Sequence, residues 1–178
     1  MIKKKYLIAI ILFFNAVGLN AQIKNFNAGF NLGLGEIKGN TASVTSFGGT
    51  LFFDFKLWFS DEVNFRTGFF YARKVEYFIP ENRQGRYYPF IKSFLLKSQI
   101  QQSLYNYFFI EEGLGLIYLN DRTLSDTNNW QPGISFNLTS GIKFSKMSLG
   151  LGIDYGMGIT KTNASYYLIY FQIKFSEI

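Results

Sequence analysis

The stretch Met147-Ser148-Leu149-Gly150-Leu151-Gly152-Ile153-Asp154-Tyr155-Gly156-Met157-Gly158-Ile159 decides the fold of this chain. Its odd positions are Met, Leu, Leu, Ile, Tyr, Met and Ile, and its even positions are Ser, Gly, Gly, Asp, Gly and Gly. A period of two is the signature of a strand, because successive side chains leave opposite faces of the pleat. The small face is informative as well. A sheet wall washed by water is rich in Lys and Glu, whereas a face of glycines with one Asp suits a narrow, packed interior.

The same alternation recurs along the chain at 25–34, 47–59, 63–72, 88–100, 104–119, 134–144 and 167–175, the fourth of the eight segments being the least regular. Phe26, Phe30, Phe53, Phe69, Phe136 and Phe171 fall on apolar faces, opposed by Asn27, Asn31, Asp54, Arg66, Asn137 and Gln172. Short polar turns are expected at 60–62, 101–103 and 145–146, and longer loops at 36–45, 76–86, 120–131 and 160–165. Short connections on one side and long ones on the other are the layout of outer-membrane barrels. An even number of strands puts both termini on the short-turn, periplasmic side. A soluble eight-stranded barrel would also alternate. Here, however, the apolar face is an almost unbroken set of Phe, Leu, Ile and Tyr, which suits lipid, and only a closed barrel can span a membrane as sheet. The expected fold is an all-β, eight-stranded antiparallel up-and-down transmembrane β-barrel over residues 22–178.

Composition points the same way. The 178 residues are 48% hydrophobic and 20% aromatic. Charged residues make up only 17%, against about 25% in a typical soluble domain. There is no Cys and no His, so disulfides, thiolate nucleophiles and imidazole bases are excluded, and no cofactor or metal site is expected. The N-terminus reads as a secretory signal peptide over residues 1–21. Met1-Ile2-Lys3-Lys4-Lys5 is a basic start, the run from Tyr6 to Phe14 is apolar, and cleavage is expected after Leu19-Asn20-Ala21. That apolar run is well short of the roughly 20 residues of a membrane helix. Loss of the three leader lysines would lower the formal charge from +6 to +3, which removes most of the support for nucleic acid as a partner.

Two segments carry a family resemblance. Residues 107–118, Tyr-Phe-Phe-Ile-Glu-Glu-Gly-Leu-Gly-Leu-Ile-Tyr, look like the Pro-Tyr-x-x-x-Gly-x-x-x-Gly strand of the outer-membrane β-barrel proteins of Bacteroidota, the porin-family or PorT-like barrels. Residues 90–97 look like the preceding strand, with Lys92 and Ser93 where that family has an aliphatic residue and Pro. The leader ending Asn20-Ala21-Gln22 is similar too. The resemblance implies a barrel in the cell outer membrane and carries over no catalytic residues.

Two sets of residues stand out chemically. Asp54, Lys56, Arg66, Glu111, Asp154 and Lys174 fall on the polar face. In a narrow lumen such charges must be paired, and the expected role is a salt-bridged plug. A 60–62 turn pairing Lys56 with Arg66 would put Asp54 diagonal to both. Arg73, Lys74, Arg83 and Arg86, set among tyrosines, are expected in an outward loop where basic side chains meet lipopolysaccharide phosphates. Catalysis is not expected. Ser93, Ser98 and Ser103 have no base in register, and the adjacent Glu111 and Glu112 point to opposite faces. Glu112 on the lipid face suggests a bulge in the fifth strand. The expected role is a non-enzymatic outer-membrane barrel with a structural, surface-interaction or envelope-assembly task, lipid and lipopolysaccharide around it, and an envelope protein as partner. A narrow passive channel and an accessory part of a protein-secretion system are the alternatives.

Overall fold

Residues that alternate in the sequence alternate in burial. In the 147–158 stretch Ser148, Gly150, Asp154, Gly156 and Gly158 are buried, while Leu151 and Tyr155 are exposed. This pattern comes from a computed structural model, which describes residues 24–40, 42–56, 63–82, 87–105, 107–124, 128–160 and 162–176. The leader segment and the 60–62 turn lie outside the described residues.

Eight strands pair with their chain neighbours, all antiparallel, and β8 closes on β1. They are β1 (Lys24–Lys38), β2 (Val44–Lys56), β3 (Val63–Lys74), β4 (Phe90–Ser103), β5 (Phe108–Arg122), β6 (Asn129–Lys143), β7 (Met147–Gly158) and β8 (Ser165–Ser176). The register can be followed around the wall. Asn27 lies opposite Asp54, then Arg66, Lys97, Gly115, Ser135, Gly156 and Tyr166, and the last step returns to β1 at Ile37, ten residues beyond the start. Eight strands with that stagger tilt steeply, by about 35–45°, and leave an interior that side chains can just fill.

The outer wall is apolar over most of its height. Leu51, Leu116 and Leu151 are 64%, 66% and 66% exposed. Soluble monomers rarely show a continuous apolar surface of this extent, and hydrocarbon is the solvent that matches it. Aromatic rings crowd both rims. Phe26, Phe53, Tyr107 and Phe175 lie toward the turns, and Phe94, Tyr118 and Trp130 form a stacked group toward the loops.

The strands run further than alternation of apolar residues suggests. β1 continues through Lys38 and β5 through Arg122, so the loops expected at 36–45 and 120–131 contract to 39–43 and 123–128. The longest stretch between consecutive strands is 75–89, between β3 and β4, whose described residues include two 3-10 turns, Val75–Phe78 and Pro80–Asn82. The turn expected at 101–103 is strand, and the chain reverses at 104–107 instead. Gln101, expected in that turn, points inward and accepts from Lys174 at 2.9 Å, and two residues before it Gln99 bonds Asn137. No bulge accommodates Glu112. The β5 ladders run without a shift, and Glu112 faces out between Ile100 and Leu138. It lies near the turn-side end of its strand, where a carboxylate can reach the headgroups.

Candidate functional site: the filled lumen and the loop-side rim

The lumen is divided along its axis. Toward the turns it holds three cations and three anions, all buried: Arg66, Lys97 and Lys174 with Asp54, Glu111 and Asp154. β2 and β3 place Arg66 directly opposite Asp54. The guanidinium binds that carboxylate with two parallel bonds, Nε to Oδ1 and Nη2 to Oδ2, both 2.7 Å. Nη2 also donates to Glu111 Oε1 at 2.8 Å, and the plane of the group lies 3.7 Å above the Phe52 ring. Lys174 completes the cluster through Glu111 Oε2 and lies 3.7 Å from Asp54 Oδ2. Across the lumen, Lys97 Nζ donates to both oxygens of Asp154 at 2.9 and 3.0 Å, and Ser135 and Tyr166 donate to Asp154 Oδ1. Charges of both signs are therefore matched one to one, as a buried set requires.

Five of the six polar-face residues predicted from the sequence meet in this network. Lys56 shares their parity but lies at the end of β2, only half-buried, opposite Asn64 rather than Arg66. The observed register makes Asp54 a direct partner of Arg66, and the second cation beside it is Lys174 of β8 rather than Lys56. The third buried cation is Lys97, which the irregular alternation of β4 concealed.

Toward the loops the lumen is mainly apolar, with Ser46, Ser93, Asp121 and Gln131 as buried polar exceptions. Ile37, Phe70, Ile91, Leu119, Tyr166 and Leu168 are buried there at 1% exposure or less. The Phe70 and Tyr166 rings stack with centroids 3.9 Å apart. Two inward tyrosines of β8 fit because β7 offers glycine opposite each. Gly152 faces Tyr170 and Gly156 faces Tyr166. A Cβ on Gly152 would lie 2.8 Å from the Tyr170 hydroxyl. That hydroxyl shares a 2.6 Å hydrogen bond with Thr139 Oγ1. The glycine-rich face of β7 therefore creates the space that the rings fill.

At the loop-side rim the outward face turns basic. Arg73 is the last outward residue of β3, with Phe90 beside it on β4 and Arg122 beside that on β5. One row lower, Tyr71, Lys92, Asn120 and Trp130 lie side by side. The cations rest on rings: Arg73 lies 3.5 Å over Tyr77 and 5.2 Å from Phe90, and Lys92 lies 5.6 Å from Trp130. Of the predicted basic set, Arg73 is at this rim, Lys74 is ion-paired to Glu76 at 3.0 Å, and Arg83 and Arg86 lie outside the described residues. Lys92 and Arg122 were not predicted. The signal for them was present as parity with Phe94 and Tyr118.

Nothing in the lumen is arranged for catalysis among the described residues. Ser93 Oγ is buried without a partner, and the Ser135 hydroxyl that touches Asp154 is 2% exposed, closed off from any substrate. Glu111 is buried while Glu112 faces out, so the two do not form an acid–base pair.

No family of known proteins matches the sequence, and no curated protein matches it. Solved structures do match its fold. The crystal structure of Neisserial surface protein A superposes with a TM-score of 0.59 at 8% identity, covering 85% of this chain and 98% of that one. Ail, the attachment invasion locus protein of Yersinia pestis, solved with the heparin analogue sucrose octasulfate, gives 0.53 at 9% identity, covering 85% and 98%. Identity this low speaks for architecture alone. The chain has the closed eight-stranded fold of small outer-membrane barrels.

Proposed function

We propose that this protein is an integral outer-membrane barrel without enzymatic activity, sealed along its axis, which acts through its loop-side surface in contact with the cell envelope or its surroundings. The observation that carries this reading is the filled lumen. Among the described residues, a charge-matched network below and stacked rings above occupy the space that a solute would have to cross. At the loop end stand the described residues of the β3–β4 connection, 75–82 and 87–89, and the basic, aromatic rim beside them. Lipid and lipopolysaccharide are the surroundings this surface suits, and an envelope protein is the other candidate partner. Two solved barrels of this shape, one of them holding a polysulfated ligand, fit the same reading. Kinship to the Bacteroidota barrels is part of the proposal, supported by the 107–118 segment, which opens β5 directly after a turn-side reversal. So is export by the leader at residues 1–21.

Cell fractionation with surface proteolysis tests it. The protein is expected in the outer-membrane fraction, and trypsin added to intact cells is expected to cut within 75–89 while the barrel stays protected. Recovery in the soluble periplasm would overturn the reading, as would cleavage at 75–89 only after the cells are opened.

A further inference from the structure

The rim cations occupy a costly position. They sit on the outward face of the barrel, above an apolar wall, where a charge needs a headgroup within reach. Arg73 gives one hydrogen bond, from Nη1 to Tyr71 Oη at 3.3 Å, and its buried Nε has no hydrogen-bond partner. Phe90 separates Arg73 from Arg122, so the two guanidinium-bearing strands lie two ladder spacings apart, about 9–10 Å, with Lys92 one row below. Arg122 makes further contacts of its own, so the case rests first on Arg73 and Lys92.

The wall below this row is grooved. A groove of about 440 Å³ runs beside Tyr71 and Phe78, with Gly49 between Leu32 and Leu51. A second, of about 340 Å³, runs beside Phe94 and Tyr118, with Gly133 in its lining. The first begins next to Arg73 and the second next to Lys92, since Tyr71 is the hydrogen-bond partner of Arg73 and Phe94 stacks on the ring under Lys92. Each cation thus neighbours a residue that lines an apolar groove, Tyr71 for Arg73 and Phe94, through Trp130, for Lys92.

We propose that the outward wall around Arg73 and Lys92 is a binding site for a phosphorylated glycolipid of the outer leaflet, with phosphate held by Arg73 and Lys92 and acyl chains lying in the flanking grooves, one over β1–β3 and the other over β4–β6. The ligand class follows from the pairing of charge with grease: an anionic head at the rim and hydrocarbon directly beneath it. Arg122 adds a second guanidinium on the far side of Phe90. The inference rests on the barrel lying in the outer membrane with the 75–89 connection outward.

Native mass spectrometry of the full barrel, released from detergent with added lipid A, tests the site. The probes are bis-phosphorylated lipid A and the same lipid stripped of phosphate. The bound fraction is expected to be at least about tenfold higher for the phosphorylated lipid, the effect of losing one charge-assisted contact. Arg73→Gln with Lys92→Gln is expected to erase that preference, while Lys143→Gln with Lys146→Gln, at the turn-side rim, is expected to keep it. Equal binding of the two lipids by the unaltered protein would overturn the site without needing any variant to fold. So would an undiminished preference in the rim variant. Fractionation and surface proteolysis on the same strain separate the two failures. A barrel correctly placed in the outer membrane but indifferent to phosphate refutes the site alone, and a misplaced barrel refutes both.

Discussion

Toward the turns, the lumen is filled by three cations locked to three carboxylates. Toward the loops, it is filled by rings and aliphatic side chains packed against glycines. Both halves close the barrel, but they depend on their sequence in different ways. The ionic half relies on matching: each charge is tolerable only because its partner is present. The aromatic half relies on volume: Tyr166 and Tyr170 are tolerable only because β7 supplies no side chain opposite either of them. The first should therefore be sensitive to deleting a charge and forgiving of deleting a pair. The second should be sensitive to adding a methyl group and forgiving of trimming a ring's polar tip.

The largest expected effect is in the ionic half. Arg66→Met leaves Asp54 and Glu111 buried with only Lys174 between them, and the loss should be about 3–5 kcal/mol, the usual cost of stranding a buried charge. Urea unfolding in lipid or detergent, followed by the heat-dependent shift of the folded barrel on gels, measures it. The pairing claim is sharpened by Lys97→Met with Asp154→Leu. If matching is what matters, the double variant should be more stable than either single one, and a double-mutant cycle reads the difference. Simple addition of the two losses would break the comparison.

The aromatic half gives smaller changes. Gly152→Ala should cost about 1–3 kcal/mol, because the added methyl would lie 2.5 Å from the Leu138 carbonyl oxygen and 2.8 Å from the tip of the Tyr170 ring. Were Gly152→Ala neutral by the same unfolding assay, the glycines would not be there to admit the rings. Tyr170→Phe alone removes the hydrogen bond to Thr139 and should cost about 1 kcal/mol, the smallest effect of the series.

How much of this could be read beforehand varies between the halves. β7 was legible because its two faces differ completely, Leu, Ile and Met against Gly and Asp. Asp54, Arg66, Glu111, Asp154 and Lys174 were legible because a charge on the polar face of a narrow barrel has nowhere else to go. Lys97 was not, because β4 mixes Ser, Gln and Lys on both faces and ends in polar residues that mimic a turn. The aromatic half was hidden more deeply. Phe52-Phe53 and Phe69-Phe70 are doublets: the alternation that puts Phe53 and Phe69 on the apolar face turns Phe52 and Phe70 inward, but nothing in a phenylalanine's chemistry marks it as a lumen residue. Tyr166 and Tyr170 carry a polar tip that fits a membrane rim as well as a lumen. Loop lengths misled for a related reason. Glu36 and Ile37 break the apolar alternation yet remain in the β1–β2 and β1–β8 ladders, and Lys38 remains in the latter, because backbone pairing does not depend on what the side chain is.

The central claim is that the two fillings together seal the barrel, and planar-bilayer recording of the refolded, unaltered protein tests it most directly. The account predicts insertion without current steps above the lipid baseline at either polarity. Steady, ohmic conductance from the unaltered barrel would contradict it, because neither the paired charges nor the stacked Phe70 and Tyr166 could then be closing the lumen.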